Sequence, residues 1–317
     1  MRDGYGREIN YLRLSVTELC NLRCRYCMPE EGICKKRHEE ILTQEEMVMA
    51  VETAAELGIT KVRITGGEPL VKKNILSLCA HVSQVPGVEE VCITTNGILL
   101  PPLAKSLIQA GVRRVNLSLD TLDRDKYAHI TRRDQFSQAM EGLKCALNSG
   151  FERVKINTVL MGGFNDDEIE ALASLTLNYP VDVRFIELMP MEAGGPLGAS
   201  AMVPNRLVLK RLPRLEPVAE DGGVASLYRL PGALGNIGLI SPVSCQFCAH
   251  CNRIRLTADG TLKPCLHSPV EYSIKGLSRA EMKEQFQKAI LSKPPCHEEL
   301  SPLHPSAAGR AMNTIGG

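Results

Sequence analysis

Between residue 10 and about residue 190 the chain alternates short strands with helices, six strands in all. Strands are expected at 11–17, 61–65, 88–95, 113–120, 154–160 and 181–188, with helices near 43–58, 71–84, 102–110, 135–148 and 166–177. The first of these helices opens on Thr43-Gln-Glu-Glu46, which reads as a capping box. Such alternation predicts an α/β fold: a parallel sheet with its helices outside. Six units suit an open or partial (β/α)6 TIM-like barrel better than the complete eight-unit one. The expected division is 1–190 for this barrel and 191–317 for a C-terminal extension.

The strands carry a second pattern. Buried parallel strands usually read as continuous aliphatic runs, whereas these alternate. Leu12, Leu14 and Val16 share one face, and Arg13, Ser15 and Thr17 the other. Val62 and Ile64 oppose Lys61, Arg63 and Thr65; Val115, Leu117 and Leu119 oppose Asn116, Ser118 and Asp120. Val154 and Ile156 oppose Lys155 and Asn157, and Val181 and Val183 oppose Asp182 and Arg184. If the apolar faces meet the helices, the polar ones line the interior, and Arg13, Lys61, Arg63, Lys155 and Arg184 point into it. Burying so many cations without counter-charge is prohibitive, so the pattern asks for a polyanionic ligand such as a polyphosphate. The alternative is an antiparallel sheet with one solvated face, against which the long helical connectors argue.

Composition narrows the classes. A net charge of +1 gives no long-range pull toward nucleic acid or membrane, and the absence of Trp offers little for stacking bases. The start MRDGYGREIN is polar and no twenty-residue apolar run follows, so neither a secretory signal nor a membrane span is expected. Twelve cysteines in 317 residues, with no such signal, point to a reducing compartment, the cytoplasm, and to metal or cluster ligation.

Three of those cysteines form the run Cys20-Asn-Leu-Arg-Cys24-Arg-Tyr-Cys27, just after the first strand. Three thiolates hold three irons of a cubane and leave the fourth open to a small molecule. A zinc loop is the competing reading, but zinc takes four ligands in paired clusters and no fourth follows closely. Gly66-Gly67-Glu68-Pro69 ends the second strand, where two glycines let backbone approach a ligand; a plain turn would explain that motif alone. Past residue 190 the segment 191–200 is rich in Gly and small residues and reads as a mobile loop, and short hairpin strands follow at 214–219, 225–230 and 235–240. A second cluster, Cys245-Gln-Phe-Cys248-Ala-His-Cys251, has Cys265 fourteen residues on, then a helix at 278–291. A zinc ribbon using four cysteines, or His250 or His267, and an iron–sulfur centre both fit it. Arg253 and Arg255 follow on one strand face, placed to hold an anionic or carbonyl-bearing group.

Together the three-cysteine loop and the G-G-E-P turn one unit later resemble the radical S-adenosylmethionine (SAM) superfamily. Further stretches resemble one of its families, the molybdenum cofactor biosynthesis protein A or GTP 3′,8-cyclase family. They are Asp3-Gly-Tyr-Gly-Arg7, Leu12–Thr17, Cys20–Pro29, Lys61–Pro69, Thr94–Gly97, Val115–Leu122, Lys155–Asn157, Arg184–Met189, Phe247–Thr257 and the terminal Gly316-Gly317. They run through the whole chain in order. The resemblance implies a radical SAM partial barrel whose extension carries a second iron–sulfur cluster, two [4Fe–4S] clusters in all, and SAM as cofactor. Cys20, Cys24 and Cys27 would hold the SAM-binding cluster, and Cys248, Cys251 and Cys265 the second, whose open iron receives guanine. Tyr26, Gly67, Ser118 and Met189 match SAM-side positions. Arg13, Lys61, Arg63, Thr94, Lys155, Arg184, Arg253 and Arg255 match GTP contacts, and Arg13, Gly316 and Gly317 positions that assist catalysis. The implied reaction removes hydrogen from ribose C3′ and joins C3′ to guanine C8, giving 3′,8-cyclo-7,8-dihydro-GTP. The implied partners are a reduced flavodoxin or ferredoxin-type donor, the cyclic pyranopterin monophosphate synthase downstream, and a second copy in a homodimer.

Glu18 and Leu19 depart from the Asp-Arg expected before the first cysteine, and Cys245 is an extra thiol near the second triad. Cys34, Cys79, Cys92, Cys145 and Cys296 fit no motif and are expected to be small buried hydrophobes. Two other readings compete: a radical SAM enzyme that modifies peptides, and a non-catalytic iron–sulfur electron carrier. The first has no use for a polyphosphate site; the second needs neither G-G-E-P nor a basic interior.

Overall fold

The structure, a computed structural model, describes residues 1–191, 197–219 and 222–316. Residues 192–196 of the small-residue segment 191–200, and the terminal Gly317, therefore lie outside the described residues. Six strands come first: β1 (Tyr11–Ser15), β2 (Lys61–Thr65), β3 (Glu90–Thr95), β4 (Val112–Ser118), β5 (Arg153–Leu160) and β6 (Val181–Glu187). Each pairs in parallel with the next, which removes the antiparallel alternative. The connectors are α1 (Gln44–Glu56), α2 (Ile75–Gln84), α3 (Ala104–Gln109), α4 (Arg124–Thr131), α5 (Phe136–Asn148) and α6 (Ile169–Asn178).

The alternating pattern explains how the two layers meet. Leu12, Leu14, Val62, Ile64, Val115, Val154, Ile156, Val181 and Val183 are buried in one cluster with Met47, Val51, Leu78, Val82, Leu107, Leu143 and Leu172 from the helices. Helix α1 is capped as its sequence asks: Thr43 Oγ1 accepts from Glu46 N at 3.2 Å, and the Glu46 carboxylate accepts from Thr43 N at 2.8 Å. Helix α4 was not expected. Its sequence is mostly polar, so no apolar stripe marks it, and it is nucleated instead by Asp123 Oδ1 accepting from Lys126 N at 2.9 Å.

After residue 197 come α7 (Arg206–Arg211), β7 (Glu216–Pro217), β8 (Ser226–Arg229), β9 (Ile237–Ile240), β10 (Arg253–Leu256), β11 (Thr261–Lys263), β12 (Tyr272–Ser273) and α8 (Arg279–Leu291). The expected hairpin strands are present, but β9 also lies parallel to β6, and β10 lies parallel to β1. One twelve-stranded sheet results, ordered β12-β11-β10-β1-β2-β3-β4-β5-β6-β9-β8-β7. Strands from the second half of the chain thus cover both edges of the parallel core. Helix α8 is tied to α1 by Arg279 with Glu52 and Glu56 and by Lys283 with Glu56. Among the described residues no helix is long and apolar enough to cross a membrane.

Candidate active site

The polar strand faces line one cavity of about 380 Å³. Across its wall the register sets Arg255, Arg13 and Arg63 side by side on β10, β1 and β2. Neighbouring strands lie about 4.8 Å apart, so three guanidinium groups share one row. Burial, then the charges of Arg255 and Arg63, hold Arg13 well below its ordinary pKa. Burial and the neighbouring Arg253 bring Arg255 down to about 10. Some charge is matched within the wall: Lys155 Nζ lies 3.6 Å from the Asp182 carboxylate, and Arg114 lies 3.1 Å from Glu90. Other polar atoms are buried with no hydrogen-bond partner among the described residues: Arg63 Nε, Arg253 Nε, Thr94 Oγ1, Asn116 Nδ2, Asn157 Oδ1 and the Tyr127 hydroxyl. Such groups are costly unless a ligand satisfies them. Donors predominate among them, which suits a polyanion.

Cys20, Cys24 and Cys27 meet the same cavity. Their loop is held from two sides. Cys24 O accepts from Cys27 N at 2.9 Å and from Met28 N at 3.1 Å, closing a tight turn. From outside, Gly67 N donates to Thr17 O at 2.7 Å and Glu68 N to Leu19 O at 2.8 Å, so the G-G-E-P turn is laced to the segment just before Cys20. A Cβ on Gly67 would collide with Leu19 O and come within 2.6 Å of Glu18 O. We expect Gly67→Ala to cost about 1–3 kcal/mol and to loosen the cysteine loop, read as a lower thermal midpoint of the iron-free protein. Glu68 fastens the turn to β3: its carboxylate accepts from Leu70 N, Asn96 N and the Thr95 hydroxyl at 3.0, 2.7 and 2.7 Å. Burial pushes its pKa up to about 7 against those donors. Tyr26, between the second and third cysteines, donates to Asp120 Oδ2 at 2.7 Å, and burial raises Asp120 to about 6.

Cys248, Cys251 and Cys265 reach the cavity from the extension. Glu187, the last residue of β6, steadies the approach to this triad by accepting from Val243 N at 3.0 Å and Ser244 N at 2.9 Å. Burial alone would raise the Cys251 thiol, but the Lys293 ammonium and the Arg253 guanidinium hold it below its ordinary value. In the first triad burial wins, pushing Cys20 up to about 11 and Cys27 up to about 12; a bound metal centre reverses such a penalty by taking the thiolates as ligands. Among the described residues no three Cys, His, Asp or Glu side chains converge as ligands of a single ion do. Thiolates that each take a different iron of a cubane need not converge. Two sets of three thiols, facing one polar cavity, fit two clusters with open irons.

The chain's end also enters this region. Arg255 Nη1 donates to Gly316 O at 2.9 Å and Ile315 O at 3.2 Å, and Asn313 Nδ2 to Glu18 O at 3.2 Å. Gly316 has φ +69°, and a Cβ there would come 2.5 Å from Thr65 Oγ1. Ile315 packs with Met191, beside Met189.

Every expected SAM-side, GTP-side and cysteine position lines the cavity. Of the tail, Gly316 lies against Thr65 at its wall. Asp120, Tyr127 and Lys293 also line it and were missed. Asp120 was legible as the last polar-face residue of the strand expected at 113–120, and it lies two residues past the end of β4. Tyr127 sits on the unexpected α4, and Lys293 follows a helix with nothing in its sequence to aim it inward. Cys245 is exposed and is not part of the lining. The unassigned cysteines divide. Cys79 and Cys92 are buried and Cys145 is half-buried, but Cys34 and Cys296 are exposed, because each lies in an irregular connection outside the packed layers. Cys92 is buried on the polar face, its sulfur 3.7 Å from the Tyr11 hydroxyl.

An open parallel barrel that brings a three-cysteine loop and a G-G-E-P turn to one cavity defines a radical SAM protein. A family model described as the radical SAM superfamily matches residues 14–176, and one described as Molybdenum Cofactor Synthesis C matches 181–299. The chain is 48% identical to the GTP 3′,8-cyclase of Alkaliphilus oremlandii over all of both chains. It is 52% identical to that of Peptoclostridium acidaminophilum over 88% of this chain and 87% of that one. It belongs to the GTP 3′,8-cyclase family. Its fold is similar to that of Streptococcus suis SuiB, with a TM-score of 0.62 at 15% identity, over 82% of this chain and 61% of that one. It is also similar to anSMEcpe with bound AdoMet, with a TM-score of 0.57 at 15% identity, over 88% and 83%.

Proposed function

We propose that this protein converts GTP to 3′,8-cyclo-7,8-dihydro-GTP, the first step of molybdenum cofactor biosynthesis, in the one cavity that both cysteine triads face. The observation that carries this reading is the guanidinium row of Arg255, Arg13 and Arg63 on the wall of that cavity. Cys20, Cys24 and Cys27 would hold the SAM-binding cluster, which would supply the electron for reductive cleavage of SAM. Cys248, Cys251 and Cys265 would hold the second cluster, which would supply an open iron for guanine. The protein's own part is binding and orientation. Arg13, Lys61, Arg63, Lys155 and Arg184 hold the triphosphate, Thr94 offers its unsatisfied hydroxyl, and Arg253 and Arg255 secure the guanine side. Gly67, Ser118 and Met189 contact SAM, and Tyr26 is braced by Asp120. Gly316 and Gly317 of the tail, with Arg13, assist catalysis. The barrel is assigned to 1–190 and the extension to 191–317. A reduced flavodoxin or ferredoxin-type protein supplies the electron, the cyclic pyranopterin monophosphate synthase takes the product, and the protein works in the cytoplasm as a homodimer.

The test is an anaerobic assay of reconstituted, reduced protein with SAM and GTP. We expect GTP-dependent formation of 5′-deoxyadenosine together with a cyclised nucleotide. SAM cleavage indifferent to GTP, with no such product, would overturn the reading.

A further inference from the structure

The Asp3-Gly-Tyr-Gly-Arg7 stretch and Lys293 lie far apart in sequence, and the reaction as derived gives neither a role. Both converge behind the second cysteine triad. Lys293 is buried, 4% exposed. Its Nζ donates to Arg253 O at 2.9 Å and to Pro264 O at 2.8 Å. One of these carbonyls lies two residues after Cys251 and the other just before Cys265, so one ammonium bridges the segments that carry two of the three thiols. Arg7 closes the third side, with Nη1 donating to Cys248 O at 2.7 Å and Nη2 to Pro294 O at 2.7 Å. Its Nε is fixed by Asp3 Oδ2 at 2.6 Å, in a pair whose side chains are 7% and 0% exposed.

We propose that Lys293, braced by Arg7, is a positioning residue for the second cluster: it sets the spacing of the Cys251 and Cys265 segments and supplies the buried positive charge that fixes the cluster's reduction potential. This inference rests on the second-cluster reading above. A buried ammonium is costly unless it is hydrogen-bonded and close to negative charge. The two carbonyls meet the first need, and thiolates around an iron–sulfur centre meet the second. Groups that orient ligands from behind typically contribute 10–100-fold to the affinity of a site, and hydrogen bonding and net charge around a cluster set its potential. Lys293→Met removes both the strut and the charge; Lys293→Gln removes the charge but keeps an amide donor, one bond shorter.

In full-length reconstituted protein we expect Lys293→Met to lose the second cluster's iron to a chelator about 10–100-fold more readily, while the first cluster and its SAM-dependent signal persist. Lys293→Gln is expected to keep both clusters but to titrate the second at a more negative potential by EPR-monitored potentiometry. A Lys293→Gln protein with the wild-type potential, or a Lys293→Met protein that keeps its iron as wild type does, would overturn the inference. Failure of the second-cluster reading looks different: wild-type protein itself would assemble a single cluster.

Discussion

Replacing Arg13 by methionine is expected to weaken GTP binding by about 30- to 4000-fold while making the GTP-free protein more stable. The loss follows from the cost of leaving a buried phosphate without its charged partner, about 2–5 kcal/mol, at 1.4 kcal/mol per factor of ten. The gain follows from the register that sets Arg13 between Arg255 and Arg63. Burial and those two neighbours lower the pKa of Arg13 in the folded chain. A cation whose folded-state pKa is lowered destabilises the fold at every pH below its unfolded-state value, hence at neutral pH, and removing it returns that free energy. Methionine fills similar space without charge, and a gain of about 1 kcal/mol is in scale with other exchanges of function for stability. Isothermal titration with GTP and a thermal melt without it read the two arms. An Arg13→Met protein that binds GTP normally, or melts lower, contradicts the account of the row.

The second expectation separates the two cysteine triads. Cys24→Ala should abolish SAM cleavage, and iron should fall from about eight to about four per chain, the content of one cubane. Cys251→Ala should lose iron to the same extent yet still cleave SAM slowly and unproductively, since its first cluster is intact. Product formation should be undetectable in both. The contrast lies in 5′-deoxyadenosine, measured by chromatography with and without GTP. Cleavage surviving in Cys24→Ala, or disappearing entirely in Cys251→Ala, would reverse the assignment of the triads.

The sequence disclosed the barrel better than its closure against the extension. The period-two pattern of Arg13, Arg63, Lys155 and Arg184 placed them on an inner face because alternation is a local property of a strand. That Arg255 stands next to Arg13 depends on parallel pairing of β10 with β1 across more than half the chain, which no local pattern encodes. Helix α4 escaped because its mostly polar residues lack a stripe, although Asp123 and Lys126 mark its start. It carried Tyr127 out of sight with it. Lys293 was invisible for a different reason: a lysine after a helix reads as solvated, and only the carbonyls of Arg253 and Pro264 turn it inward. Cys34 and Cys296 show the limit of composition, since a small apolar side chain in an irregular connection has no layer to enter.

Both edges of the parallel core are covered by strands from the second half of the chain, β10 on β1 and β9 on β6. During synthesis the first six strands leave the ribosome well before either cover exists. A nascent chain at that stage exposes two bare strand edges, templates for association with other chains. Domain-by-domain folding during translation is thus denied to this barrel. Its sheet is completed on one side when β9 emerges and on the other only after β10, which follows Cys251, has done so. Premature termination anywhere before residue 253 is therefore expected to yield aggregate rather than a working half-enzyme.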